Sequence, residues 1–430
     1  MIKLSPEASA RRSLFLDIAK HVLSECTAEK LMKGVIKASE VKNFKRVVVI
    51  SIGKAARPMV KAILPLLGRE PDQILIADKG HPFPSERGIR VTKKIMTTAR
   101  DLGEHDLAIV LLSGGGSAMF TAPVPEITLE DKIATTRALL RCGATIQEIN
   151  IVRKHLSQVK GGGLAALLHH ATVCGFVISD VVGNDLSTIA SGPLTPDPTT
   201  FTDALHVIKK YKLRVPASVR RYLEKGPKNP LLETPKPGSR YFTKVTTKIV
   251  ADHMTTAKKA LEKANAMKIK VIMLKEPITG EARHVAEKLL LPQAKKNTLL
   301  IACGETTVNC KGNGYGGRNQ EVVLGALKHL SDDQTILSIG TDGVDGMCPE
   351  NVAGAIGDVA LRKAGDELKL SIADYLRRND SYCYFKQTHG LIKTGRTGTN
   401  LGDLMLLMVG GGRVELPTST LSVSRSNQLS

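Results

Sequence analysis

Short apolar runs recur along the chain, and each ends in a loop of glycine, serine or acidic residues before a helical pattern resumes. Val47–Ile52 runs into Gly53-Lys54-Ala55-Ala56, Leu107–Leu112 into Ser113-Gly114-Gly115-Gly116-Ser117, and Gly175–Ile178 into Ser179-Asp180. Further along, Lys248–Val250 and Val271–Leu274 each precede a helical pattern. Thr298–Ala302 leads into Cys303-Gly304-Glu305, and Thr335–Ile339 into Gly340-Thr341-Asp342-Gly343. Strands that are apolar on both faces and alternate with helices belong to parallel sheets covered on both sides. The pattern therefore predicts an α/β protein.

At 430 residues the chain is long enough for two domains. Pro227, Pro230, Pro235, Pro237 and Gly238 crowd the span Gly226–Ser239, which neither helix nor strand tolerates well. A boundary is expected there, with one domain over 1–235 and a smaller one over 236–412. Residues 413–430 are rich in Ser and Thr and lack periodicity, so a flexible tail is expected.

Composition narrows the functional classes. Hydrophobic residues make up 42%, enough for a sizeable core, and no apolar run approaches the roughly 18 residues that span a bilayer. The formal charge of +20 invites a nucleic-acid reading. However, the excess lies in residues 1–100, at +11, and 201–300, at +14, scattered over helix-like stretches. With no Trp, seven Tyr and eight Phe, and no arginine–aromatic interleaving, nucleic-acid binding is not expected. Seven cysteines without a C-x-x-C fit a reduced intracellular compartment. Arg11-Arg12 before Leu14-Phe15-Leu16 has part of a mitochondrial signal, but Glu7, Asp17, Glu25 and Glu29 interrupt it. A plain first helix and a cytoplasmic protein are expected, with mitochondrial targeting as the alternative.

Every unusual loop falls at the carboxyl end of a strand, where doubly wound sheets bind their ligands. Ser113, Gly114, Gly115, Gly116 and Ser117 offer backbone N–H groups to a phosphate, although the same triplet also serves a tight strand-to-helix turn. Lys54 sits at the start of a helix, where a cation opposes the helix dipole, and so reads as an anion-binding residue. Arg318, in Gly316-Gly317-Arg318-Asn319-Gln320-Glu321, is unfavourable at a helix start unless it meets phosphate or carboxylate. Asp180 and Asp185 follow one strand, Asp342 and Asp345 another, and Glu305 a third. Acids at such ends can ligate Mg²⁺ or take a hydroxyl proton, while a single Asp-Gly is more often a turn. Zinc is not expected, because His81, His155 and His253 are isolated. Neither a Walker A loop, a G-x-G-x-x-G after the first strand, nor a G-x-S-x-G elbow is present. Cations for phosphate with acids for Mg²⁺ or a proton describe phosphoryl transfer.

These loops, in this order, resemble the type-2 glycerate kinase family, the ATP-dependent D-glycerate 2-kinases with a C-terminal MOFRL domain. The likeness runs from about Arg12 to Val409. It is carried by S-I-G-K-A-A-R-P-M at 51–59, L-L-S-G-G-G-S-A at 111–118, V-R-K-H-L-S-Q-V-K-G-G at 152–162 and S-D-V-V-G-N-D at 179–185. I-A-S-G-P at 189–193, C-G-E-T-T-V at 303–308, G-G-R-N-Q-E at 316–321, G-T-D-G-V-D-G at 340–346 and L-I-K-T-G-R-T-G-T-N at 391–400 complete it. The resemblance implies an N-terminal Rossmann-like, doubly wound domain and a smaller C-terminal α/β domain with the site between them. It implies phosphorylation of D-glycerate by ATP and Mg²⁺ to 2-phosphoglycerate. It gives Lys54 and Arg318 the substrate and transferring phosphate, and places Glu305, Asp342 and Asn400 around the same site. The 113–117 loop becomes a phosphate cradle. Of the acids at strand ends, Asp180, Asp185 and Asp345 are the expected Mg²⁺ ligands, on their position and not on the resemblance. Three positions depart from the family: Asn184 where Asp is usual, Gly163 where Arg is usual, and Arg396 where Pro is usual. The alternatives are an NAD(P)H-dependent hydroxypyruvate reductase, a name often given to such sequences, or a catalytically weak homologue acting as a binding protein. Monomer and homodimer both remain open.

Overall fold

The computed structural model describes residues 4–80 and 83–410, so His81 and the tail 413–430 lie outside the described residues. The chain forms two compact units, one of residues 28–250, the other joining the residues up to Thr27 to those from Ala251 onward. No helix among the described residues is long and apolar enough to cross a membrane. All seven cysteines are free.

The 28–250 unit is built on β1 (Val47–Ile52), β2 (Gln73–Ala77), β3 (Leu107–Leu112), β4 (Thr172–Ile178) and β5 (Val245–Ala251), in the order β2-β1-β3-β4-β5. β1 pairs in parallel with β2 and β3, and β3 with β4. Every residue of β1 and β3 is buried, which explains why neither strand alternates with polar positions. Val48, Ile50, Ala108, Val110 and Leu112 share one apolar cluster with Leu164 and Leu168. After β1 the chain goes to β2 on one side, and then β3 takes the other side. The sheet therefore has its topological switch point between β1 and β3, where loops leaving the strand ends diverge and open a crevice. Register places Ile52 opposite Leu112 and Leu112 opposite Val177, so the loops after β1, β3 and β4 emerge level with one another.

The proline-rich span is not the boundary expected from its composition. Thr234 Oγ1 donates to the buried Asp197 carboxylate at 3.0 Å, Asp197 N donates to Pro235 O at 2.9 Å, and Glu233 meets His155 Nε2 at 2.9 Å. These bonds fix it within the 28–250 unit, and β5, beyond it in sequence, forms an edge of the same sheet. Proline density marks where regular structure stops; it says nothing of whether the irregular segment is pinned.

The other unit contains β6 (Val271–Met273), β7 (Thr298–Gly304), β8 (Gln334–Gly340), β9 (Gly354–Asp358), β10 (Leu391–Ile392) and β11 (Asp403–Val409). Among the described residues β6 and β7 pair in parallel, while β8 is antiparallel to β9 and β11, and β9 to β10. The expectation of parallel sheets throughout thus needs correcting here: the sheet is mixed. The connection from β8 to β9 contains no crossover helix, so the chain simply turns back. The helix Pro6–Glu25, capped by Ser5 Oγ, packs on this unit through buried Leu14, Phe15, Ile18 and Val22. Arg12 grips Asp358 through two bonds, at 2.7 and 2.9 Å, and Asp358 also caps the helix Val359–Glu367. Phe15→Ala, at a fully buried position, should therefore cost about 3–5 kcal/mol. Urea unfolding followed by circular dichroism checks this, and a midpoint equal to wild type would mean that the first helix is not part of this core.

Candidate active site

At the switch point, the loop after β1 is stitched to the loop after β3. Lys54 N donates to Gly114 O at 2.9 Å, Ala55 N to Ser113 Oγ at 3.1 Å, and Ser113 N to Ile52 O at 2.9 Å. Gly53 has φ +120°, and a Cβ there would lie 2.4 Å from both Ser113 O and Ser113 Oγ. Glycine at 53 is thus a requirement of two backbones in close approach. Lys54 and the 113–117 loop are thus neighbours through their backbones, with the Lys54 side chain exposed two residues before the helix Ala56–Ile63 begins. Gly115 caps the short helix Gly116–Met119 in the left-handed region, as the tight-turn reading of the triplet required.

The loop after β4 reaches the same place. Ser117 Oγ lies 2.9 Å from Ser191 Oγ, and Ser191 Oγ donates to the buried Asn150 Oδ1 at 3.0 Å. Asp180 is half-buried just past β4. Asp185, expected as a metal ligand, instead turns both oxygens onto its own loop. Its Oδ1 accepts Ser187 N at 2.8 Å, and its Oδ2 accepts Ser187 Oγ and Thr188 Oγ1, both at 2.8 Å. Asn184 holds a left-handed backbone, φ 56°, which asparagine and aspartate adopt more readily than other side chains, so this departure keeps the turn. A Cβ at Gly163 would lie 2.4 Å from Gln158 O, so the local backbone is closed around the glycine found there.

In the other unit, Glu305 follows β7, Asp342 follows β8, and Asp403 opens β11 directly opposite Gly340, so the three acids share one end of the sheet. Arg318 begins the helix Arg318–Ala326. Its Nε and Nη2 donate to the two oxygens of Asp403 at 2.7 and 3.0 Å, and its Nη1 lies 2.9 Å from Glu305 Oε1. Burial works against the charge, but Asp403 and Glu305 outweigh it and hold the guanidinium's pKa above its ordinary value. The condition set by the sequence, a carboxylate or phosphate partner for a cation at a helix start, is met by two carboxylates. Asp403 was not singled out in the sequence. Its signal was an acid beginning the apolar run Asp403–Val409, a position that only a buried partner can justify.

Asp345, also expected as a metal ligand, is a helix cap. Its Oδ1 accepts Asn319 N at 2.9 Å and Asn319 Nδ2 at 3.2 Å, and its Oδ2 accepts Gln320 N and Gln320 Nε2, both at 2.9 Å. Burial pushes its carboxyl up to about 6, against the pull of these bonds. Four donors occupy the oxygens and leave no room for a cation. Asn319 Nδ2 also donates to Asp403 Oδ1 at 2.9 Å, tying the cap to the Arg318 pair. Asp342 is half-buried, with Oδ1 accepting Val344 N at 3.0 Å. Asn400 is buried and its Oδ1 accepts Gly402 N at 3.3 Å, while Arg396 is exposed. Among the described residues no group of three or more His, Cys, Asp or Glu is placed to hold a metal ion.

Comparison with known proteins places the chain in a family. A family model described as a domain of unknown function, DUF4147, matches residues 14–224, and the MOFRL family model matches residues 298–403. The D-glycerate 2-kinase of Thermotoga maritima is 35% identical over 93% of this chain and 98% of its own length. A crystal structure of glycerate kinase from the same organism matches with a TM-score of 0.78 at 35% identity, covering 93% of this chain and all of that one. An Agrobacterium vitis protein named as a hydroxypyruvate reductase is 36% identical over 79% of this chain and 78% of its own. By sequence over nearly its whole length, and by fold, the chain belongs to the glycerate 2-kinase family.

Proposed function

We propose that this chain is a kinase that transfers the γ-phosphoryl group of ATP to D-glycerate, giving 2-phosphoglycerate and ADP. The observation that carries the reading is Arg318, held charged and in one orientation by Asp403 and Glu305. Phosphoryl transfer asks little covalent chemistry of the protein and much positioning and charge neutralisation, which a fixed guanidinium supplies. Lys54 is the second cation assigned to the anionic groups. The Ser113–Ser117 backbone is assigned to the nucleotide phosphates.

We assign Asp342 to accept the proton of the attacking hydroxyl. That oxygen then bonds to the γ-phosphorus while the bond to the β,γ-bridging oxygen breaks, and its electron pair leaves with ADP. Glu305 is less suited to the proton, because its carboxylate is committed to Arg318. Asn400 braces the turn before β11 through Gly402. The donor set fits a Mg²⁺ held by one carboxylate and phosphate oxygens rather than by a protein cage, since Asp185 and Asp345 already use their oxygens. Asp180 is the residue assigned to it, and the ion when bound supplies charge neutralisation on the phosphates.

The missing G-x-G-x-x-G after the first strand weighs against the reductase reading. The test is incubation with D-glycerate and MgATP, with ADP followed through a pyruvate-kinase couple and the product's regiochemistry read by phosphorus NMR. ADP release with a 2-phosphorylated product is expected. No release from folded protein, with NADH oxidised by hydroxypyruvate instead, would replace this reading by the reductase one.

A further inference from the structure

The helix Ile146–His155 carries a run of basic residues whose partners are unevenly supplied. Lys154 pairs with the buried Asp197 at 3.4 Å, and His155 with Glu233 at 2.9 Å. The buried Lys132 donates to Leu156 O at 3.1 Å, and the buried Lys160 to Ser117 O and Phe120 O at 2.8 and 3.0 Å. Arg153 is different. Among the described residues it has neither a hydrogen-bond acceptor nor an acid, and the charges that feel it are those of Lys132 and Lys160, which it repels. Burial, with Arg153 adding to it, brings Lys132 down to about 7 and holds Lys160 well below the usual lysine range. Arg153 is itself half-buried, beside two buried lysines, and like charges gathered there without a carboxylate favour an anion joining them.

A second observation points to the same spot. Asn150, one turn before Arg153 on the same face of the helix, is 3% exposed, and its Nδ2 has no hydrogen-bond partner among the described residues. Its Oδ1 is fixed by Ser191 Oγ, which in turn meets Ser117 of the 113–117 loop. The chain at Ala190, Ser191 and Gly192 runs through three left-handed residues, φ 52°, 62° and 64°. Two of these are not glycine, so the backbone stores strain to present Ser191 here.

We infer that Arg153 and the Asn150 amide form an oxyanion site with Ser117 and Ser191, taking either a phosphate of the nucleotide or the carboxylate of the hydroxy acid. Naming these two ligands rests on the kinase reading; the existence of the site does not. Guanidinium and amide present N–H donors that match the oxygens of either group. Lys160, donating to two carbonyls of the Gly116–Phe120 turn, acts as a strut for the loop and not as the ligand's own contact.

The test is calorimetric titration of the whole chain with inorganic tripolyphosphate, ADP and D-glycerate in turn, with thermal melts of the same samples. Arg153→Ala should melt at or above the wild-type temperature without ligand, because a repelling charge has gone. It should bind one class of oxyanion at least about tenfold more weakly, as expected for the loss of a charge-assisted contact. Arg153→Lys should fall between, and Asn150→Ala should weaken the same class. Loss confined to tripolyphosphate and ADP assigns the site to phosphate, and loss confined to D-glycerate assigns it to the carboxylate. Wild-type binding of all three ligands by Arg153→Ala, or a lowered melting temperature without ligand, overturns the proposal, as does a wild-type chain that binds none of them. Selective loss of binding in a chain without turnover would uphold the site while sinking the kinase reading.

Discussion

Replacing Asp403 with alanine should unsettle the fold and abolish turnover in a single step. Its side chain is 0% exposed and accepts from Arg318 Nε, Arg318 Nη2 and Asn319 Nδ2. Removing one partner of a buried pair leaves the other charge desolvated and unpaired, at a cost of about 3–5 kcal/mol. Glu305 cannot make up the loss, since it is 36% exposed and reaches the guanidinium at Nη1, away from the edge that Asp403 holds. Glu305→Gln should accordingly cost about 0–1 kcal/mol, as solvent-exposed pairs do. Asp403→Asn keeps the shape but turns an NH₂ toward donors, so its stability should fall between the two. In the protein that remains folded, kcat/KM for Asp403→Ala should drop at least ~10²-fold, because the guanidinium is no longer aimed. Urea midpoints and steady-state rates on the same preparations decide the matter. A wild-type midpoint would show that the pair is not structural, and near-normal turnover would show that Arg318 does not need Asp403 to work.

The same corner shows how far the sequence could be read. β1 and β3 were legible to the residue because both faces are buried and a glycine or serine loop ends each one. β9 has the sequence Gly-Ala-Ile-Gly-Asp, too short and too rich in glycine to register as a strand. β11 is Asp-Leu-Met-Leu-Leu-Met-Val, in which Leu and Met carry helix propensity and the sheet prevails through burial. With these strands unseen, the antiparallel part of the sheet was unseen too, and so was Asp403. Lys54, Arg318 and the 113–117 loop stand out as candidates in the sequence because cations and glycines at strand ends violate local preference. Asp345 and Asp185 sat at the same ends for a local reason, capping a helix and a turn, and spacing alone does not separate a cap from a ligand. Lys132, Arg153 and Lys160 were hidden for the opposite reason. A basic residue within a helical stretch reads as solvated, and only the packed structure shows that these are not.

Lys54→Ala should separate chemistry from stability more cleanly than any other change. The Lys54 side chain is exposed, and the loop beneath it is held by backbone: Gly53 N donates to Ala77 O at 3.0 Å, Lys54 N to Gly114 O at 2.9 Å, and Ala55 N to Ser113 Oγ. Truncation should therefore leave the urea midpoint within about 0.5 kcal/mol of wild type, as for most exposed substitutions. If the ammonium meets charge that develops on the transferring phosphoryl group, kcat/KM should still fall at least ~10²-fold, or about 2.7 kcal/mol of transition-state stabilisation. Lys54→Arg should recover only part of this. It restores the charge, but a planar fork spreads that charge over a broader group than a compact ammonium does. The split between constants carries the distinction. A fall mainly in kcat places Lys54 on the transferring group, whereas a rise in KM for ATP or D-glycerate alone makes it a ground-state contact. Turnover within about tenfold of wild type at unchanged stability would take Lys54 out of the reaction and leave its position at the switch point without a chemical explanation.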